Sequence, residues 1–407
     1  MKIRRFLLQV FLALSFFTIS CSQDIVSPEF NYNLKSARVI ETNNEFGLEL
    51  LKAVFDAEDE PNVMISPTSV SIALSMAYNG AEESTRDAFE EVLNYEGLTR
   101  EEVNEITKEL IHVLVTNVHG NLLEIANSMW YDQEFPVLPE FINLNSHYFD
   151  AEVRELDFRN PEAVKTINDW VNDKTHGKIE DIIDNLDPEV LMILINAIYF
   201  NCVWEVAFDP EDTHRANFYN EDGSRFGEVD MMQLKSTLKA TRNESFSAVE
   251  LPYKNGKFSM QLFLPAEGST LNQLVQELNG PAWKNWTDSF VEREGFIVHM
   301  PRFEFDYERS LKEDLKSLGL DIAFTDQADF SGISPLPLNI ADVIHKTYIK
   351  VNEQGTEAAA VTAVVMQTTS LGAFTMIRFD RPFLFVITEK SSQSILFMGK
   401  VAEPAYD

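Results

Sequence analysis

Cysteine is nearly absent from this chain: Cys21 and Cys202 are the only two in 407 residues. No disulfide framework can therefore carry stability, which must come from an apolar core. Cys202 sits between Phe200 and Trp204, a setting that marks a structural, partly buried thiol rather than a reactive one. Basic charge is also scarce, with 33 Lys and Arg against 65 Asp and Glu and a formal net charge of −32. Nucleic acid, heparin-like polyanions and anionic lipid surfaces each require a basic patch, so none is an expected partner. Enzyme motifs are missing: there is no Gly-x-Ser-x-Gly, His-Glu-x-x-His, paired Cys-x-x-Cys, phosphate loop or dinucleotide fingerprint. Among so many acidic residues a carboxylate pair identifies nothing, and the seven histidines are scattered. No cofactor or metal is expected. Nor is there a Pro/Gly/Ser linker between Phe46 and Pro404, or an internal repeat, so one domain is expected despite the length.

With 45% apolar residues and thirty Phe, that domain can bury a large core. Helical periodicity over 84–94, 100–116 and 161–174 alternates with strand-like runs at 191–200, 258–264, 296–305 and 383–398. The class is α+β. Ahead of it lies a targeting segment, in which Lys2, Arg4 and Arg5 precede an apolar core of fifteen residues from Phe6 to Ser20. That core is short of the roughly 20 residues a spanning helix needs. Thr18-Ile19-Ser20-Cys21 resembles a bacterial lipoprotein cleavage box, with Thr18 in place of the usual Leu. On that resemblance 1–20 is a signal peptide, Cys21 is the lipidated first residue, and 21–36 is a flexible tether to a domain at 37–407. An ordinary secretory signal cut nearby is the alternative. Either way the expected location is outside the cytoplasm: secreted or extracellular, or lipid-anchored at a bacterial surface or in the periplasm.

From Ala358 to Ile377 the chain carries no charge for twenty residues. Thr362, Gln367, Thr368, Thr369, Ser370 and Gly372 make it a poor membrane span. β-Branched Val361, Thr362, Val364 and Val365 oppose a buried helix and suit a strand. Read with period 2, one face carries Thr356, Ala358, Ala360, Thr362 and Val364, all small or modest in size; the other carries Glu357, Ala359, Val361, Ala363 and Val365. The first face could slide beneath a layer of helices while Glu357 stays outside. Gly355 supplies conformational freedom at the start of the run, and the β-rich stretch Val343 to Val351 leads into it. The whole reads as a foldable arm.

The hinge string Val351-Asn352-Glu353-Gln354-Gly355-Thr356-Glu357-Ala358-Ala359-Ala360 resembles that of the serpin family, proteinase inhibitors whose reactive-centre loop inserts into their own main sheet. Further strings agree in order along the chain. Asn62 to Ala81 resembles the family's strand-to-helix passage, and Asn196-Ala197-Ile198-Tyr199-Phe200 with Trp204 and Phe208-Asp209-Pro210 its central strand. Glu250 to Tyr253, Met260 to Pro265, Pro301 to Phe305, Phe379 to Phe385 and Phe397 to Val401 match later landmarks.

The resemblance implies a serpin fold, about nine helices around three β-sheets, with an exposed reactive-centre loop at about 353–378. It implies a suicide substrate for a serine-type endopeptidase, trapped as an acyl-enzyme in a covalent complex, from a monomeric inhibitor that is not itself an enzyme. Glu353, Gly355, Thr356, Ala358 and Ala360 would form the hinge; Ser66, Ser69, Asn196 and His345 would form the polar cluster where strands part, with Trp204 at the top of the opening. Counting the family's usual fifteen residues from Gly355 places the scissile bond at Thr369-Ser370. The small, β-branched Thr369 suits an elastase-like or subtilisin-like enzyme; Met366-Gln367 or Leu371-Gly372 would suit a chymotrypsin-like one. A cysteine protease target, or a non-inhibitory carrier or chaperone on the same fold, is the alternative. Three departures stand out: Gln354 where an acidic residue is commonest, Val361 where a smaller one is usual, and Thr18 in the signal box. Leu98 to Thr116, where some serpins carry a basic cofactor-binding helix, instead holds Glu101, Glu102, Glu105 and Glu109.

Overall fold

The computed structural model describes residues 29–31, 33–115, 122–187, 189–356 and 375–406. The expectations placed on 1–20, Cys21, Ala358, Ala360, Thr369 and Ser370 lie outside them. Nine α-helices occur among the described residues: α1 (Leu34–Ala57), α2 (Pro67–Tyr78), α3 (Glu83–Val92), α4 (Arg100–Val115), α5 (Pro139–Phe149), α6 (Glu162–Lys174), α7 (Leu271–Gln276), α8 (Gly280–Asp288) and α9 (Lys312–Leu315). The first opens ahead of residue 37, the expected start of the domain, because Asn33 and Ser36 form a reciprocal capping box. None of the described helices is long and apolar enough to cross a membrane.

The sheet that positions the loop has six strands in the order β10 (Phe303–Ser310), β11 (Ile344–Asn352), β12 (Gly355–Thr356), β4 (Met192–Val203), β2 (Leu122–Asp132) and β3 (Glu152–Leu156). Alternation along β4 gives it two apolar faces, as a sheet covered on both sides requires. Ile195 and Ala197 pack with Ile167 and Val171 of α6. Ile198, Phe200 and Cys202 face the core shared with the second sheet. Beneath β4 lies α2, all of whose residues are buried. It starts where Ser66 caps it and Pro67 takes the first helical position. Gly47 lets α1 approach this start closely, since a Cβ there would stand 2.4 Å from Cβ of Pro67.

The second sheet runs β1 (Asn62–Ile65), β15 (Ile395–Val401), β14 (Phe383–Glu389), β8 (Phe258–Pro265), β7 (Phe246–Pro252), β6 (Arg225–Arg242), β9 (Val291–Pro301), β13 (Met376–Arg378), with β5 (His214–Tyr219) also on β6. The α+β class stands, but two of the three expected sheets share one ladder. β6 is the reason: its 18 residues pair with β5 over Arg225–Met231, with β9 over Met231–Ala240 and with β7 over Lys239–Arg242. The strand-like run at 296–305 divides at Arg302, where the chain passes from β9 in one sheet to β10 in the other. The run at 383–398 divides into β14 and β15 at a turn closed by Glu389, whose carboxylate accepts from the amides of Ser391 and Ser392.

Candidate functional site

β11 ends at Asn352, the chain turns through Glu353 and Gln354, and Gly355 and Thr356 return as β12 between β11 and β4. Among the described residues β4 and β11 make no ladder with each other, so β12 alone bridges them. The seat is narrow: a Cβ on Gly355 would lie 2.1 Å from the Cys202 carbonyl oxygen and 2.7 Å from Val203 Cα. Those are backbone atoms of a central strand and cannot yield, so glycine is required here for space. Thr356 pairs with Cys202 and shares its inward face, buried, with its hydroxyl bonded to Tyr253.

The turn itself is fixed on every side. Asn352 Oδ1 accepts from Gln354 N at 2.9 Å. Trp204 donates twice, from N to Gln354 O at 2.8 Å and from Nε1 to Asn352 O at 2.9 Å. Its indole stacks on Tyr253, centroids 4.4 Å apart. Phe208 N donates to Glu353 O at 2.8 Å. The Glu353 carboxylate, 4% exposed, receives Thr213 Oγ1 at 2.6 Å and Arg302 Nε at 2.7 Å. Breaking such a pair by removing one partner leaves a buried charge uncompensated.

Trp204 directly follows the last residue of β4, whereas the polar cluster meets that strand at Asn196. Trp204 is eight residue steps beyond Asn196, roughly 26 Å along an extended chain. At the lower position Ser66 N donates to His345 Nε2 at 3.0 Å, and Ser66 Oγ to Leu396 O at 2.6 Å. Ser69, Asn196 and His345 line a cavity of about 20 Å³ between α2, β4 and β11. Asn196 Nδ2 bonds Asn127 Oδ1, which ties β4 to β2. Ser66, Ser69, Asn196 and His345 are thus gathered beneath the gap between β4 and β11, with Trp204 at the end where β12 enters.

His345 is 3% exposed, and burial pushes its pKa down to about 4. The bond from Ser66 N also requires Nε2 to be an unprotonated acceptor. Because the folded value lies below the ordinary 6.5, the unfolded chain takes up a proton first as pH falls. Stability from neutral His345 is complete above about pH 6.5 and is lost toward pH 4, up to about 3 kcal/mol. The thermal midpoint is expected to fall between pH 7 and 5. His345→Gln should flatten that dependence; a wild-type slope equal to the variant's would remove the assignment.

Some participants carried no signal of their own. Arg302, Thr213, Tyr253 and Phe208 join the hinge from 51 to 145 positions away, so no local spacing points to them. Arg302, Tyr253 and Phe208 lie inside landmark strings, which marks their place but not their contacts. Cys202 is fully rather than partly buried, because its thiol points into the core beside Phe200, Tyr253 and Phe258. Burial pushes its thiol well above the usual range, which keeps it unreactive.

Comparison with known proteins agrees with this geometry. The family model described as Serpin (serine protease inhibitor) matches residues 41–404. Iripin-8 of Ixodes ricinus is 36% identical, over 94% of this chain and 96% of its own length. Tengpin, a thermophilic serpin in its native state, superposes with a TM-score of 0.82 at 30% identity, covering 92% of this chain and 96% of its own. Human thyroxine-binding globulin in complex with thyroxine also gives 0.82, at 27% identity, covering 91% of this chain and all of its own. A family match over residues 41–404, a relative 36% identical along almost its whole length and a solved serpin that superposes on the same fold together make this protein a member of the serpin family.

Proposed function

We propose that the protein inhibits a serine protease as a suicide substrate. The observation that carries this reading is β12: Gly355 and Thr356, near the start of the loop, already occupy the place between β4 and β11 that the rest of the loop would extend. The protease serine attacks a loop carbonyl, and the peptide bond breaks as the new N-terminus leaves. An ester then joins the enzyme to the new C-terminus. Water would finish an ordinary substrate. Here the freed loop feeds into the sheet and drags the ester, with the enzyme's catalytic groups, out of register before water attacks. A strand rises about 3.4 Å per residue, so fifteen residues from Gly355 span roughly 50 Å. A compact body of this length is roughly 50–55 Å across, so the enzyme would be carried from one pole to the other.

The bond is proposed at Thr369-Ser370 and the target class as elastase-like or subtilisin-like, because no Lys or Arg lies between Lys350 and Arg378 and Thr369 fits a shallow primary pocket. We further propose a signal peptide at 1–20, lipidation of Cys21 and a tether ending where α1 begins at Leu34. The acting form would be an extracytoplasmic monomer that needs no polyanion. A carrier role is the second reading, since thyroxine-binding globulin shares the fold; the small residues at Ala358 and Ala360 speak against it by leaving the loop free to insert.

Incubating the soluble domain with elastase-like, subtilisin-like and chymotrypsin-like proteases separates these readings. A denaturant-stable complex and a released peptide beginning at Ser370 are expected. Clean cleavage without complex would favour the carrier.

A further inference from the structure

The segment after β15 reaches back over the hinge. Glu304 N donates to Ala405 O at 2.7 Å, which fixes the segment beside the start of β10. Tyr406 then lies between two cations, its ring centre 5.3 Å from the Arg302 guanidinium carbon and 4.7 Å from Lys350 Nζ. Its hydroxyl accepts from Asn352 Nδ2 at 3.4 Å, and the other end of that amide caps the turn at Gln354 N. Arg302 meanwhile holds Glu353. One side chain therefore bears on both sides of the turn: directly through Asn352, and through Arg302 on Glu353. Tyr406 lies just beyond the residues 41–404 matched by the family model.

We propose that Tyr406 is a positioning residue for loop insertion. It orients the Asn352 amide and the Arg302 guanidinium so that the turn between β11 and β12 is formed before cleavage, and insertion proceeds from a finished turn. A turn that must first be ordered slows the early steps of insertion. Hydrolysis of the acyl-enzyme does not wait, so fewer proteases are trapped for each loop cut. The role rests on the inhibitory reading above.

The test uses the full chain and a protease that the wild type traps, and measures inhibitor consumed per protease inactivated together with the rate of loop cleavage. Tyr406→Ala is expected to raise consumption roughly two- to fivefold, the rate equivalent of one partly exposed cation–π contact, with the cleavage rate unchanged. Tyr406→Phe keeps the ring between the cations and loses the acceptor, so a smaller rise is expected. In an Asn352→Ala background that phenyl substitution should add nothing. A general loss of stability would not shift this partition while sparing the cleavage rate. Unchanged or lower consumption in Tyr406→Ala would overturn the proposal, and if that variant does not fold, unchanged consumption in Tyr406→Phe does so. Absence of any complex with the wild type would remove the inhibitory reading and this role with it; complex formation with indifferent variants would remove this role alone.

Discussion

Thr356→Arg is expected to turn the inhibitor into a substrate. Thr356 is 3% exposed, enclosed by β4, β11 and Tyr253. An arginine there faces inward onto the apolar core around Phe200 and Cys202, with no carboxylate among the described partners of that position. Burying an unpaired charge costs at least several kcal/mol. β12 would leave its seat, and insertion would begin by overcoming that cost. Even about 3 kcal/mol slows a step roughly 100-fold, enough for water to reach the acyl-enzyme first. The loop is expected to be cut as fast as before while complex formation drops at least tenfold. Thr356→Ser keeps the hydroxyl and should behave as wild type. Retention of complex formation by the arginine variant would sink the seated-hinge account.

Cleavage of the loop should raise heat stability. In the uncut chain β4 and β11 are bridged only by the two residues of β12 among the described residues, so their facing edges are largely unladdered. On the proposed mechanism, release of the loop would let Glu357 and the residues after it continue β12, each gaining backbone bonds on both sides worth about 0.5–1.5 kcal/mol net. Ordering costs about 1–2 kcal/mol per residue and nearly cancels that gain. The surplus must come from burying Ala358, Ala360, Thr362 and Val364 and from closing the gap above the cluster at Ser69, Asn196 and His345. A surplus of several kcal/mol shifts the thermal midpoint of a domain this large by roughly 5 °C. The cleaved chain is expected to melt that much higher, and an equal or lower midpoint would contradict a metastable uncut state.

The start of the proposed hinge, Gly355 and Thr356, was legible because its chemistry is local. Gly355 stands out in the sequence for its conformational freedom, whereas the structure requires it for space beside Cys202 and Val203. The partners of the hinge were not legible, because Arg302 meets Glu353 and Tyr253 meets Thr356 only after β9, β10 and β7 are in place. Sheet membership was hidden for a related reason. A strand-like run such as 296–305 keeps its alternation across Arg302, although the chain changes sheets there. The opening of α1 escaped notice because its box is Asn33 with Ser36, whereas the usual signature ends in Glu or Gln. The polar cluster was located from the resemblance; its bond between Ser66 and His345 spans 279 positions and follows from no pattern in the chain.

Hydrogen exchange on β4 and β11, followed before and after the loop is cut, tests loop insertion most directly. The account predicts that amides on the facing edges of Leu194–Asn201 and His345–Lys350 become strongly protected once the loop is cut. Residues 357–365 should gain the protection of a central strand at the same time. Unchanged exchange in β4 and β11 with a fully exchanging cut loop would contradict it.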